Sequence, residues 1–194
     1  PAAELLFAVQ HRIFSWQPSY FHALSIGIHV SSVVMLYHIV QAITFRTDLV
    51  RVSAVLFAVH PMNTESVAWI SGQMSELSGL CSLVFLSALL TRGYSYSLRF
   101  CVAVASLLVG LGSYENFVTV ALSGGLLLVG RWWIWAIPPS RGELALVVVS
   151  IVASMTYCYV RFVILGLGDG YYATALIFPN MLRNFTYFSY LLAG

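Results

Sequence analysis

From residue 19 to residue 45 the chain runs without a single Asp, Glu, Lys or Arg. An α-helix needs about 20 predominantly apolar residues to cross a bilayer, so this run alone predicts a membrane span. Further apolar runs occupy residues 52–59, 77–90, 100–112, 117–129 and 144–165, and a last one begins near Asn180. Only 8% of the 194 residues are charged, against about 25% in soluble domains. Mean hydropathy is +0.88. The sequence therefore predicts an all-α polytopic integral membrane protein with about six or seven transmembrane helices, some short or broken. It excludes a soluble domain on one anchor. The formal charge of +2 gives no basis for binding nucleic acid.

One interruption sets itself against this apolar background. "HPMNTESVAWISGQMSEL", residues 60–77, gathers a histidine, a proline, an asparagine and two glutamates. An unpartnered polar group is costly in hydrocarbon, so the stretch is expected at the membrane edge, lining a site. The preceding run, 52–59, is too short to cross. It reads as a half-helix ending in a protein-lined cavity, with Pro61 expected to break or kink the chain. Residues 1–18, with His11, Arg12, Trp16 and Pro18, read as an interfacial segment. Residues 1–194 read as one transmembrane domain, a piece of a longer protein lacking a first span and any soluble repeat domain.

Charge gives a sidedness. Arg46, Arg51, Arg92, Arg99, Arg131 and Arg141 fall in alternate loops. They share one side, which the positive-inside rule makes cytoplasmic. The other side receives Glu65, Glu76, Glu115 and Asp169, four of the seven acidic residues. Arg12, Arg161 and Arg183 depart from the alternation; the last two flank one outer segment. The expected location is a bacterial inner membrane or an ER-type membrane, with the polar cluster facing the periplasm or lumen.

His22 and His29 are seven apart and share a helix face with Ser25 and Ser32. Such a stripe faces protein or a cavity rather than lipid. His38 falls on the opposite face, near the cytoplasmic end. The histidine pair would bind metal only with ligands from elsewhere, and no metal site is assigned. Cys81, Cys101 and Cys158 lack CxxC spacing and read as packing residues. Ser123-Gly124-Gly125 reads as a close-packing site for a neighbouring helix, "RWWIW" (131–135) as an aromatic belt, and "LGLGDG" (165–170) as a loop.

Several carboxylates, one histidine and two arginines at headgroup depth suit one chemistry. It is transfer of an activated group from a lipid phosphate carrier to an outside acceptor. Arginine grips phosphate through bidentate, charge-assisted hydrogen bonds. A carboxylate can take the acceptor hydroxyl's proton or hold a divalent cation. Polar packing between helices is the competing reading.

"LFAVHPMNTESVAWISGQMSELSGL" (56–80) resembles the membrane-region signature of the transmembrane-and-tetratricopeptide O-mannosyltransferase-like proteins and their bacterial relatives, within the GT-C glycosyltransferase superfamily. His60, Pro61, Thr64, Glu65, Val67, Ala68, Trp69, Ile70, Ser71 and Gly72 match in register. Upstream, "PSYFHALSIGIHVSSVVMLYHIV" is similar to the family's two-histidine helix, with His22 and His29 in the histidine places. Downstream, "GSYENFVTVALSGGLLL" places Glu115 at the family's acidic position, and "RNFTYFSYLLAG" resembles the arginine-led final helix. The chain departs from the pattern at Gln73, where the family has arginine, and at Tyr114, where a basic residue is usual.

The resemblance implies a GT-C-like fold and a mannosyltransferase-like activity. A polyprenyl- or dolichyl-phosphate-linked sugar would be delivered to an outward-facing protein or glycan. Glu65, His60 and Glu115 are then the catalytic candidates. Arg161 and Arg183 would grip the lipid phosphate, and Glu76, His22, His29 and Gln73 would contact sugar or acceptor. The family's essential acid lies in a first outer loop; residues 1–18 hold only Glu4, so the enzyme reading expects that acid upstream. The alternative is a non-catalytic membrane subunit, derived from this family and packed against other membrane subunits in a larger complex.

Overall fold

The computed structural model describes residues 2–164, apart from Trp16, Phe45 and Arg92. The chain divides into two compact units, Pro1–Ala153 and Ser154–Gly194. Among the described residues every regular element is helical: α1 (Ala2–Phe14), α2 (Pro18–Ile43), α3 (Thr47–Ala58), α4 (Pro61–Ala68), α5 (Gln73–Leu90), α6 (Tyr96–Ser113), α7 (Val120–Trp135) and α8 (Arg141–Tyr159). Short 3₁₀ turns at Ile70–Gly72 and Glu115–Thr119 lead into α5 and α7, and a π-helical turn, Val160–Ile164, follows α8. Five stretches are long and apolar enough to cross a membrane: Pro18–Ile43, Ile70–Leu90, Tyr96–Ser113, Glu115–Ile134 and Arg141–Val163. The protein is an all-α polytopic membrane protein. The span expected near Asn180 lies outside the described residues, as do Asp169 and Arg183.

In the first unit the path of the chain follows from who holds whom. α2 starts with Pro18, whose missing N–H costs nothing at a helix's first turn. α3 returns along α2 in the opposite sense. The His29 ring stacks on Phe57, with centroids 5.6 Å apart, and its Nε2 donates to the Ala58 carbonyl at 3.2 Å. α5 begins beside the start of α2, where Gln73 Nε2 donates to Phe21 O at 2.7 Å and to Ser25 Oγ at 2.9 Å. α6 runs back against α5. Its Arg99 donates to the Ala88 and Leu89 carbonyls at 2.8 and 2.7 Å, filling acceptors that the end of α5 leaves open. Gly124 of α7 lets Phe85 and Leu89 approach, so the small residues at 123–125 do serve close packing. Phe85, Leu89, Ala103 and Leu146 are fully buried between these helices.

Hydroxyls inside the spans are satisfied locally. Ser25, Ser32, Ser82, Ser106 and Ser150 each donate to a carbonyl three or four residues earlier. Leucine, valine and tryptophan side chains such as Leu122, Leu126, Val129 and Trp133 are exposed, the surface a lipid-facing helix presents.

Three boundaries differ from the sequence expectation. Pro61 breaks nothing; the chain breaks at Val59 and His60, and Pro61 is the first residue of α4. The third apolar run starts at Gln73 rather than residue 77, because Gln73 and Glu76 are buried against α1 and α2 and so tolerate a helix interior. Arg131 is not in a loop but in the last turns of α7, buried and paired with Glu143 of α8 at 2.7 Å.

Candidate functional site

The ends of the helices sort by chemistry. One end gathers α1, the start of α2, α4, the start of α5 and the Tyr114–Glu115 turn. Gln10 Nε2 donates to Gln73 Oε1 at 2.9 Å, tying α1 to α5. A Cβ on Gly112 would touch Ala2, tying the end of α6 to α1. The opposite end carries Arg46, Arg51, Arg99, Arg131 and Arg141.

At the first end the break between α3 and α4 is built from side chains. A helix leaves its last four carbonyls without intrahelical partners. Here Phe57 O accepts from Asn63 Nδ2 at 2.7 Å, and Ala58 O accepts from His29 Nε2. His60 caps α4: its Nδ1 accepts from Met62 N at 3.3 Å, which assigns the hydrogen of the neutral ring to Nε2. Around the break lies a cavity of about 510 Å³ lined by His22, His29, Ala58, His60, Asn63, Thr64 and Val67. Three imidazoles, an amide and a hydroxyl therefore meet one hollow. On the other side of α4 a hollow of about 210 Å³ is lined by Glu65, Ser66, Trp69, Ser71, Ser75 and Tyr114.

His29 connects this cavity to the helix behind it. Its Nδ1 lies 3.7 Å from Glu76 Oε2, and Glu76 is only 8% exposed. Nε2 carries a hydrogen, because the Ala58 carbonyl can only accept. Nδ1 therefore faces the Glu76 carboxylate across 3.7 Å. One turn away, Gln73 is completely buried with both its amide atoms in hydrogen bonds.

The predicted residues thus divide. His22, His29 and His60 are brought together around one cavity, and Glu76 stands behind His29. Glu65 lines the neighbouring hollow with Tyr114. Glu115, next to Tyr114 and partly buried, reaches the same end but lines neither hollow. Gln73 lines neither and is spent on holding α1 and α2. Arg161 belongs to the second unit, where Nη1 donates to Tyr157 OH at 2.8 Å. Among the described residues no three His, Cys, Asp or Glu side chains gather closely enough to hold a metal ion.

Comparison with known proteins bears on this arrangement. Over 96 residues the chain is 36% identical to Protein O-mannosyl-transferase TMTC1 of Homo sapiens. Over 92 residues it is 35% identical to the Mus musculus protein of the same name. About half of the chain is thus similar to these proteins. The matches cover 49% and 47% of this chain but 10% and 9% of the relatives, so the TMTC-like stretch spans about a tenth of their length. No protein-family model matches the chain, and no solved structure matches it.

Two residues of the site escape a reading of the sequence. Asn63 reads as one more polar residue in a polar stretch, because its partner is a backbone carbonyl exposed only by the helix break. Gln10 sits in the interfacial segment, 63 residues from the side chain it bonds. Ser25 was visible: it lies on the His22–His29 stripe, the face that meets Gln73.

Proposed function

We propose that the chain is the membrane part of a glycosyltransferase that takes a sugar from a polyprenyl- or dolichyl-phosphate and delivers it to an outward-facing protein or glycan. The observation that carries this is the meeting of His22, His29 and His60 around one cavity, beside the Glu65 hollow, in a chain half of which is TMTC-like. In this reading the acceptor oxygen attacks the sugar's anomeric carbon and the lipid phosphate departs. A carboxylate, Glu65, takes the acceptor's hydrogen. His60, with Nε2–H free of the cap, and His22 donate to oxygens of donor or acceptor. Glu76 keeps His29 oriented, and Glu115 supports the rim. Arg161 and Arg183 neutralise the phosphate. The polar end faces the periplasm or lumen, and the arginine end the cytoplasm.

The second reading, a non-catalytic membrane subunit of this ancestry, is favoured by Gln73. Where the family pattern has arginine, this side chain is buried in contacts between helices.

The test is transfer of mannose from a polyprenyl-phosphate donor by the full-length protein in lipid nanodiscs. Transfer should fall at least about a hundredfold in Glu65→Gln, the size typical of removing a general base. His29→Gln keeps a donor for the Ala58 carbonyl and should leave the fold intact while lowering transfer. An active Glu65→Gln removes Glu65 from the site. No transfer by either form leaves the subunit reading ahead.

A further inference from the structure

A further hollow in the first unit lies away from the site described above, at the arginine end. It measures about 700 Å³ and opens between α2 and α6, with α5 as its floor. Its lining changes along the helix axes. Met35, Val84 and Val102 line it farther from the helix ends; His38, Gln41 and Arg99 stand nearer to them. From Met35 to Gln41 is six residues of α2, about 9 Å of rise. Over that length the wall passes from apolar to hydrogen-bond donating.

Arg99 decides what the rim can hold. Its Nε and Nη2 are fixed by the Ala88 and Leu89 carbonyls. Those carbonyls hold the guanidinium in place without a carboxylate, and Nη1 makes no bond to them. Among the described residues this end of the first unit carries Arg46, Arg51, Arg99, Arg131 and Arg141 against the acids Asp48 and Glu143. Glu143 is already taken by Arg131. A cationic, donor-rich rim above an apolar slot, on helices that present apolar faces to lipid, has the polarity profile of an anionic phospholipid.

We infer that the α2–α5–α6 groove is a phospholipid site. The headgroup phosphate accepts from Arg99 Nη1, with His38 and Gln41 donating at its edge. One acyl chain descends past Leu98 between Met35, Val84 and Val102. The site is separate from the proposed sugar-transfer cavity and stands or falls independently of it. It secures the α2–α5–α6 assembly from the face where α2 and α6 are parted.

The test uses the full-length protein, stripped in detergent and exposed to phosphatidylglycerol or phosphatidylcholine, with retained lipid counted by native mass spectrometry. Wild type should retain one phosphatidylglycerol more tightly than phosphatidylcholine by several-fold: the phosphate is common to both, but choline brings a positive charge to the arginine rim, where each basic side chain favours an anionic lipid by about 1 kcal/mol. Val102→Trp fills the deep slot without touching Arg99 and should abolish that retention. Because Arg99→Gln also uncaps α5, His38→Leu serves as the second rim variant and should weaken phosphatidylglycerol several-fold with elution and circular dichroism unchanged. Equal retention of the two lipids by wild type, or undiminished retention by Val102→Trp, overturns the inference. So does a co-purifying polypeptide that Val102→Trp displaces in place of lipid.

Discussion

Gln73 fixes the orientation of two side-chain amides in series. Phe21 O can only accept, so the group facing it is the Gln73 amide nitrogen; Gln73 Oε1 then faces Gln10 and requires its nitrogen. The order ends at Gln10 Oε1, which is buried with no hydrogen-bond partner, a position that suits an ordered water. Replacing Gln73 with Leu strips α5 of its bonds to α1 and α2 and leaves Gln10 Nε2 without an acceptor. The expected loss is about 2–3 kcal/mol, read as a lower midpoint in detergent unfolding, with α1 the first segment to become protease-sensitive. At this scale the sequence told which residues were polar and which face they shared. It could not tell that Gln73 would be spent on structure while His60 kept a ring N–H uncommitted. That depends on partners 48 to 63 residues away and on carbonyls that only a helix break exposes.

Helix ends, more than helix interiors, hold the elements together. Arg99 terminates α5, His29 and Asn63 terminate α3, and Ser140 with Glu143 starts α8: Ser140 Oγ accepts from Glu143 N while Glu143 Oε2 accepts from Ser140 N. The same Glu143 oxygen accepts from Arg131 Nη2, joining the end of α7 to this cap. Arg131→Ala therefore leaves a fully buried carboxylate short of its cation. Its expected cost is about 3–5 kcal/mol, and Arg131→Met combined with Glu143→Leu should recover most of it; thermal unfolding of the three variants decides. Hydropathy made the spans legible because lipid demands long apolar runs. It misplaced the start of α5 because Gln73 and Glu76 look like loop residues until neighbouring helices cover them. Arg131 was misread in the same way: a guanidinium near a tryptophan cluster suggests an interface, and only Glu143, twelve residues on, makes it a buried strut.

Across the first unit, charge and helix direction agree. Among its described residues Glu4, Glu65, Glu76 and Glu115 share an end with four of the five histidines, while five arginines occupy the other. Thr64 and Ser140 therefore belong to opposite ends. In a background without native cysteines, Thr64→Cys and Ser140→Cys should react with a membrane-impermeant maleimide from opposite faces of a sealed vesicle; labelling from one face would break the topology. α3 has a consequence for how the protein is made. With 12 residues, including Asp48 and Arg51, it is about 18 Å long and has too little apolar length to partition into lipid alone. What it has is α2, with His29 waiting to take its last carbonyl. Its integration during synthesis is thus a two-arm event: α2 must already be lodged at the translocon's lateral gate before α3 can leave the aqueous channel.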